Sequence, residues 1–242
     1  MSFLDWDDLT AFTEEKIADY HQKKLESLCA LKLKTILRRK NPYLFKAKNL
    51  LTASDLVRTL LDAHLSSHEE TIFGDFLEEL AIYVNAHVFG GKKSSTEGID
   101  LEFDNDGIRY IVAIKSGPNW GNNSQINRMK DNFIKAQRIL RTGNSKIHIR
   151  AINGCCYGRD SQPDKGAYQK LCGQGFWEFI SGDCLLYTRL IGPIGHRAKE
   201  KNDDFHMQYA KVLNLFALEF MQHFCDDGEI NWTRLVEFNS AA

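Results

Sequence analysis

A chain of 242 residues with 43% hydrophobic and 11% aromatic residues has ample apolar surface for one large folded domain, which excludes a disordered protein. Its formal charge of −1 excludes a polybasic nucleic-acid coat, so affinity for a polyanion must come from local patches. The six cysteines contain no Cys-x-x-Cys pair, and Cys155 and Cys156 are adjacent; this usage fits reduced thiols in a cytoplasm better than a disulfide framework or structural zinc. The acidic start MSFLDWDDLT does not read as a signal peptide, and no stretch approaches the roughly 20 apolar residues of a membrane helix, so a cytoplasmic protein without membrane contact is expected.

Residues 3–39 read as helical, with Leu25, Leu28, Leu31 and Ile36 set among charges. Asn41-Pro42 interrupts that pattern, because the residue before proline is pushed out of the helical region. Lys32, Lys34, Arg38, Arg39, Lys40, Lys46 and Lys48 form a run of seven cations without an acid, interleaved with Tyr43 and Phe45. It is the strongest local positive field of the chain and a candidate track for a phosphate backbone, with Lys40, Lys46 and Lys48 as its contacts; a solvated face is the alternative. A second helix begins between Thr52 and Asp55. Ser67-His68-Glu69-Glu70 has the form of a capping box before the apolar stripe Phe73, Phe76, Leu77, Leu80, Ala81 and Val84, so a further helix start is expected at Ser67. That start would separate His64 from His68 and remove them as a metal pair. Gly74 lies inside the stripe, where glycine costs about 1 kcal/mol against alanine, so close packing is expected there.

Thr96 to Lys115 reads as a β-hairpin. Ile99, Leu101 and Phe103 alternate with Asp100, Glu102 and Asp104; beyond Asn105-Asp106-Gly107 the alternation resumes at Ile108, Tyr110, Val112 and Ile114. With Asp106-Gly107 as a two-residue loop, Asp100 faces Ala113, and Lys115 lies one step along on the same face, within the roughly 7–8 Å of a diagonal pair. A carboxylate beside an ammonium suits metal-assisted phosphodiester cleavage. The segment from Ser116 through Asn119, Trp120, Asn122, Asn123 and Gln125 is turn-forming and dense in amides, and these residues are candidate contacts to bases or phosphates. A helix over 124–142, capped by Asn123 or Ser124, and a strand over 146–152 follow. Later helices are expected at 167–180, 200–224 and 230–238; Leu213, Leu215, Phe216, Leu218, Phe220 and Met221 make the middle one apolar nearly all round, hence internal. The loops around Arg159 and His196-Arg197 are weaker basic candidates. No phosphate-binding glycine loop of the nucleotide-hydrolase type is present, which argues against an ATP-dependent enzyme.

At Asp100 and Lys115 the chain resembles the PD-(D/E)xK nuclease superfamily, with Ala113 standing where the second acid belongs. KNPYLFKAKN (40–49), DAHLSSHEETIFGDFLEELA (62–81) and AIKSGPNWGNNSQ (113–125) look like the PmeII-like type II restriction endonucleases. The resemblance implies an α/β fold: a restriction-endonuclease-like core, a mixed β-sheet flanked by helices, with helical N- and C-terminal extensions. A single nuclease domain would then comprise a helical region 1–66, the core 67–154 and a mainly helical region 155–242. It also implies a Mg2+-dependent, sequence-specific endonuclease on double-stranded DNA, working as a homodimer beside a cognate DNA methyltransferase. Asp100, the Ile114 carbonyl and a second acid would hold the metal. Glu78, on the helix before the hairpin and one turn after Gly74, is favoured as that acid over Glu102 and Glu97. Lys115 would serve the reaction. A catalytically silent DNA-binding or defence module and a junction or repair nuclease are the alternatives.

Overall fold

The computed structural model describes residues 4–143 and 147–241; the first residue of the N-terminal helix expected at 3–39, and Lys146 of the expected strand, lie outside them. The chain runs α1 (Trp6–Ala30), α2 (Leu33–Arg39), α3 (Pro42–Ala47), α4 (Ala53–Phe89), β1 (Lys92–Lys93), β2 (Leu101–Asn105), β3 (Ile108–Lys115), α5 (Asn123–Gly143), β4 (His148–Cys155) and β5 (Gln169–Cys172). Beyond the sheet come α6 (Gln174–Ser181), α7 (Leu186–Arg189), α8 (Ile191–Ile194), α9 (Ala198–Phe224), β6 (Cys225–Asp226), β7 (Glu229–Ile230) and α10 (Trp232–Ser240). Two compact units result: residues 1–17 with 73–196, and residues 18–72 with 197–242.

The first unit holds a mixed five-stranded sheet of order β1-β2-β3-β4-β5. Strands β1, β2 and β3 pair antiparallel, whereas β3, β4 and β5 run parallel, with α5 as the crossover between β3 and β4. The hairpin has the register that a two-residue loop dictates: Leu101 opposes Val112 and Asn105 opposes Ile108. Asp106 and Gly107 both take positive φ, 50° and 75°, the left-handed pair whose twist matches the flanking strands. One sheet face meets α5, where Ile111, Ala113 and Ala151 pack with Met129, Phe133 and Ala136. On the other face Phe103 stacks with Phe89 of α4 at 5.5 Å and with Tyr110 at 5.0 Å, and Phe179 of α6 leans on both rings. The helix expected at 167–180 is therefore half strand: Gln169–Cys172 pairs with Ile152–Cys155 and extends the sheet, and only Gln174–Ser181 is helical.

The second unit is built on an apolar cluster joining Leu33, Ile36, Leu56, Leu60 and Leu61 to Phe216, Phe220, Phe224 and Leu235. The expected internal character of α9 does not hold: Leu215 is 64% exposed, and Leu218 and Met221 are exposed beside it, because only the Leu213–Phe216–Phe220 face meets this cluster. The N-terminal stretch is two helices, α1 and α2, with Leu31 and Lys32 between them. All six cysteines are free thiols. Among the described residues no helix is long and apolar enough to cross a membrane.

The largest departure from expectation is α4. It runs unbroken from Ala53 to Phe89, so no helix starts at Ser67, and the boundary expected between 66 and 67 falls inside the helix. The cap is Thr52, whose hydroxyl accepts from the Asp55 amide at 3.1 Å and donates to the Asp55 carboxylate at 2.7 Å. Ser67 instead donates to the Ala63 carbonyl at 3.2 Å, one turn back. His64 and His68 consequently share a helix face, with ring centroids 6.5 Å apart, although no group of three or more His, Cys, Asp or Glu side chains fit for a metal forms among the described residues. Thr52→Ala should cost about 1 kcal/mol. Ser67→Ala should gain a few tenths of a kcal/mol at most from the better helix propensity. Urea unfolding of the two variants checks this, and the opposite order would contradict the continuous helix.

Candidate active site

The hairpin register carries the site. The Asp100 amide donates to the Val112 carbonyl at 2.9 Å, just beyond the last β2–β3 pair of Leu101 with Val112. That fixes the side chain at the open end of β3, where Asp100 Oδ2 accepts from the Ile114 amide at 2.6 Å and lies 3.7 Å from Lys115 Nζ. Asp100 and Lys115 are one-fifth and one-third exposed, so the pair is partly withdrawn from water yet open to a ligand. Lys115 Nζ also lies 5.5 Å from the centre of the Trp120 ring, a cation–π distance.

Glu78 approaches from α4. Burial raises its carboxyl above the usual range, and the Asp100 carboxylate raises it further, while Lys93 and Lys115 oppose the shift. Lys93 Nζ holds Glu78 Oε1 at 3.3 Å. Glu79 turns the other way to Lys16, at 3.2 Å. Gly74 does not have the tight neighbour expected of it: a Cβ there would meet only the Ser116 Cβ at 3.8 Å, an ordinary contact.

The competing acids are otherwise engaged. Glu102 is buried, accepts from the Ser94 hydroxyl and lies 4.0 Å from Arg109. Glu97 forms an open surface pair with Arg128 at 3.1 Å. Ala113 is 1% exposed and packed among Ile111, Met129 and Phe133, so an acid at this position would border the apolar layer under α5.

The amide-rich loop is partly structural. Trp120 Nε1 donates to Asn153 Oδ1 at 3.1 Å, and Asn153 Nδ2 donates to the Ala113 carbonyl at 3.1 Å, which ties the ring beside Lys115 to β4 and β3. Asn122 and Gln125 form a reciprocal capping box for α5, each side-chain oxygen accepting the other's amide at 3.0 Å, so the cap is Asn122 and not Asn123 or Ser124. Asn119 and Asn123 are exposed, and the Ser116 carbonyl accepts from the Tyr157 amide at 3.2 Å. In the basic run Lys40 Nζ donates to the Ala63 carbonyl at 3.5 Å, Lys46 lies 5.2 Å from the Trp232 ring centre and Lys48 lies 6.0 Å from that of Phe45. Sequence reasoning missed Lys93 as the partner of Glu78 and Asn153 as the anchor of Trp120; neither belongs to a short motif, since each acts across elements.

A partly buried acid accepting from a strand amide beside an ammonium thus stands at the end of a mixed sheet. The family model for the type II restriction endonuclease EcoO109I matches residues 7–202, well over half of the chain, and the protein belongs to that family. It is thus a type II site-specific deoxyribonuclease, a hydrolase of a restriction system that binds DNA, and enzymes of this type generally use divalent metal ions. Among curated proteins no relative matches the chain.

Asn153 is 1% exposed and satisfied on both sides of its amide, so Asn153→Ala strips a partner from the Trp120 indole and from a strand carbonyl at once. A loss of about 2 kcal/mol is expected from denaturant unfolding. A change below about 0.5 kcal/mol, the range of an ordinary surface substitution, would show that the link does not hold the loop.

Proposed function

We propose that the protein cleaves both strands of a short double-stranded DNA site in a Mg2+-dependent reaction at the Asp100–Lys115 hairpin, in the manner of PD-(D/E)xK nucleases of the PmeII-like kind. The observation that carries this reading is the Asp100 carboxylate, held on the Ile114 amide 3.7 Å from the Lys115 ammonium, in a chain of restriction-endonuclease family. The donor set suits a hard cation: two carboxylates, Asp100 and Glu78, and the Ile114 carbonyl, which lies on the same edge of β3 as the amide that Asp100 accepts from, are all oxygen ligands. A bound Mg2+ would supply Lewis-acid stabilisation of charge on the phosphate. Asp100 is oriented for that task by the strand amide. Lys115 orients the water that attacks phosphorus in line and offsets the developing negative charge. Glu78 takes the place of the acid absent at Ala113, with its carboxyl raised by burial and then by the Asp100 carboxylate.

Asn119 and Asn123, exposed beside the site, make contacts to the duplex, with Lys40, Lys46 and Lys48 on its phosphates. Each chain carries a single Asp100–Lys115 hairpin, so cutting two strands calls for a homodimer with two-fold symmetry matching the site. A cognate DNA methyltransferase would protect the host sequence, and the location is cytoplasmic.

Incubation of the purified chain with unmethylated plasmid and Mg2+ should give discrete bands. Cutting of branched DNA alone would show a junction nuclease, and binding without cutting a silent module. Lys115→Ala should abolish cleavage, by at least about a hundredfold in rate given what general acid–base and electrostatic groups contribute, and leave duplex binding intact in a gel-shift assay. Cleavage by this variant at wild-type rate refutes the mechanism. Glu78→Gln should raise the Mg2+ concentration for half-maximal cleavage and slow the cut, and an unchanged Mg2+ titration would remove Glu78 from the site.

A further inference from the structure

Beyond the cleavage centre, strands β4 and β5 open into a recess of about 590 Å³ lined by Tyr157, Arg159, Asp160, Cys172, Gln174 and Tyr187. Its position is fixed by the sheet register: Lys115 pairs with Cys155, and Cys155 with Cys172, so three parallel strands end on one edge. Two interstrand steps of about 4.8 Å put the end of β5 roughly 10 Å from Lys115.

Arg159 is exposed in this recess and has no hydrogen-bond or ion-pair partner among the described residues. The neighbouring acid is already neutralised: Asp160 is held by Lys165 at 3.0 Å and Lys170 at 3.5 Å, and it accepts from the Gln162 amide at 2.9 Å. By contrast, the guanidinium of the other basic loop, Arg197, is forked onto Glu200. The mount is stiff. Lys170 Nζ donates to the Pro118 carbonyl at 2.8 Å, the Tyr157 amide donates to Ser116, and a Cβ at Gly117 would run into the Tyr157 ring. The loop that carries Arg159 is thus fastened to the loop that follows Lys115. Gln174 is oriented through its donation to the Cys184 carbonyl at 3.2 Å.

A phosphate site gathers several free cations or backbone amides. Here one free guanidinium stands among neutral donor–acceptor groups, Tyr157, Gln174 and Tyr187, which suits a base edge with a mixed pattern. We infer that this recess reads the target sequence in the major groove, with Arg159 paired bidentately to the O6 and N7 of a guanine in the recognition site. The inference rests on the nuclease reading for its DNA substrate, but it concerns recognition and not the cut.

The test is selection of duplexes from a randomised library by binding, run on the full chain carrying Lys115→Ala, with and without Arg159→Ala or Arg159→Lys. The parent should select a site containing a guanine. Both Arg159 variants should lose preference at that one position by tenfold to a hundredfold and keep the rest of the site, because lysine cannot form the same planar fork. A uniform loss of affinity for all duplexes in Arg159→Ala, retained by Arg159→Lys and accompanied by a salt slope lower by about 0.9, would identify a phosphate contact and overturn the inference. Unchanged selectivity in both variants would overturn it too. Selective binding by a wild-type chain that cuts no DNA would refute the catalytic reading alone, and absence of duplex binding would refute both.

Discussion

Everything at the candidate site depends on the register of one hairpin. A two-residue turn with both central residues at positive φ locks Leu101 against Val112, and just beyond that pair the Asp100 amide binds the Val112 carbonyl. A slip of one residue would turn every side chain of β2 to the opposite face and carry Asp100 away from Lys115. In the register observed, the acid lands on the Ile114 amide and beside the ammonium, without any strained backbone at either residue. The site is therefore a consequence of turn chemistry as much as of its own residues.

The surroundings of this pair are as firmly fixed as the hairpin. Parallel pairing of β3 with β4 and of β4 with β5 brings three strand ends to one edge, where binding loops of such sheets gather. Asn153, buried within β4, spends its amide on the loop tryptophan and on the β3 backbone, so the ring that touches Lys115 is fixed by the sheet itself. α4 delivers Glu78, whose carboxyl is raised by burial first and then by the Asp100 carboxylate. Lys93 and Lys115 oppose that shift.

The parts legible in the sequence were those set by local rules. Asp-Gly between alternating apolar residues fixed the hairpin, and apolar spacing fixed α5 to within a residue or two at either end. Errors came where local patterns have two solutions. Ser67 with Glu70 matches a helix start, but a helix already running from Ala53 offers the Ser67 hydroxyl a carbonyl one turn back, and the capping pattern is then irrelevant. Residues 169–172 run directly into the helical pattern of α6 and share its local look; their strand pairing is with β4, which no local signal reveals. Apolar residues all round α9 suggested burial, whereas only one face meets a core. In the site, Asp100 and Lys115 could be placed from register alone. The fate of Trp120, Asn122 and Gln125 could not, because their partners are decided by folding: Asn153 lies on a distant strand, and Asn122 and Gln125 are used up by each other.

The central claim is that Asp100 is a cation ligand and not merely the partner of Lys115 and a strand amide. Isothermal titration of Mg2+ into the full chain bound to its duplex tests it directly, with Asp100→Asn as the comparison, since the amide keeps shape and hydrogen bonding to the Ile114 N–H but loses the charge. The account predicts saturable Mg2+ binding by the wild-type complex and its loss in Asp100→Asn, with the DNA still bound. Equal Mg2+ binding by both complexes would contradict it.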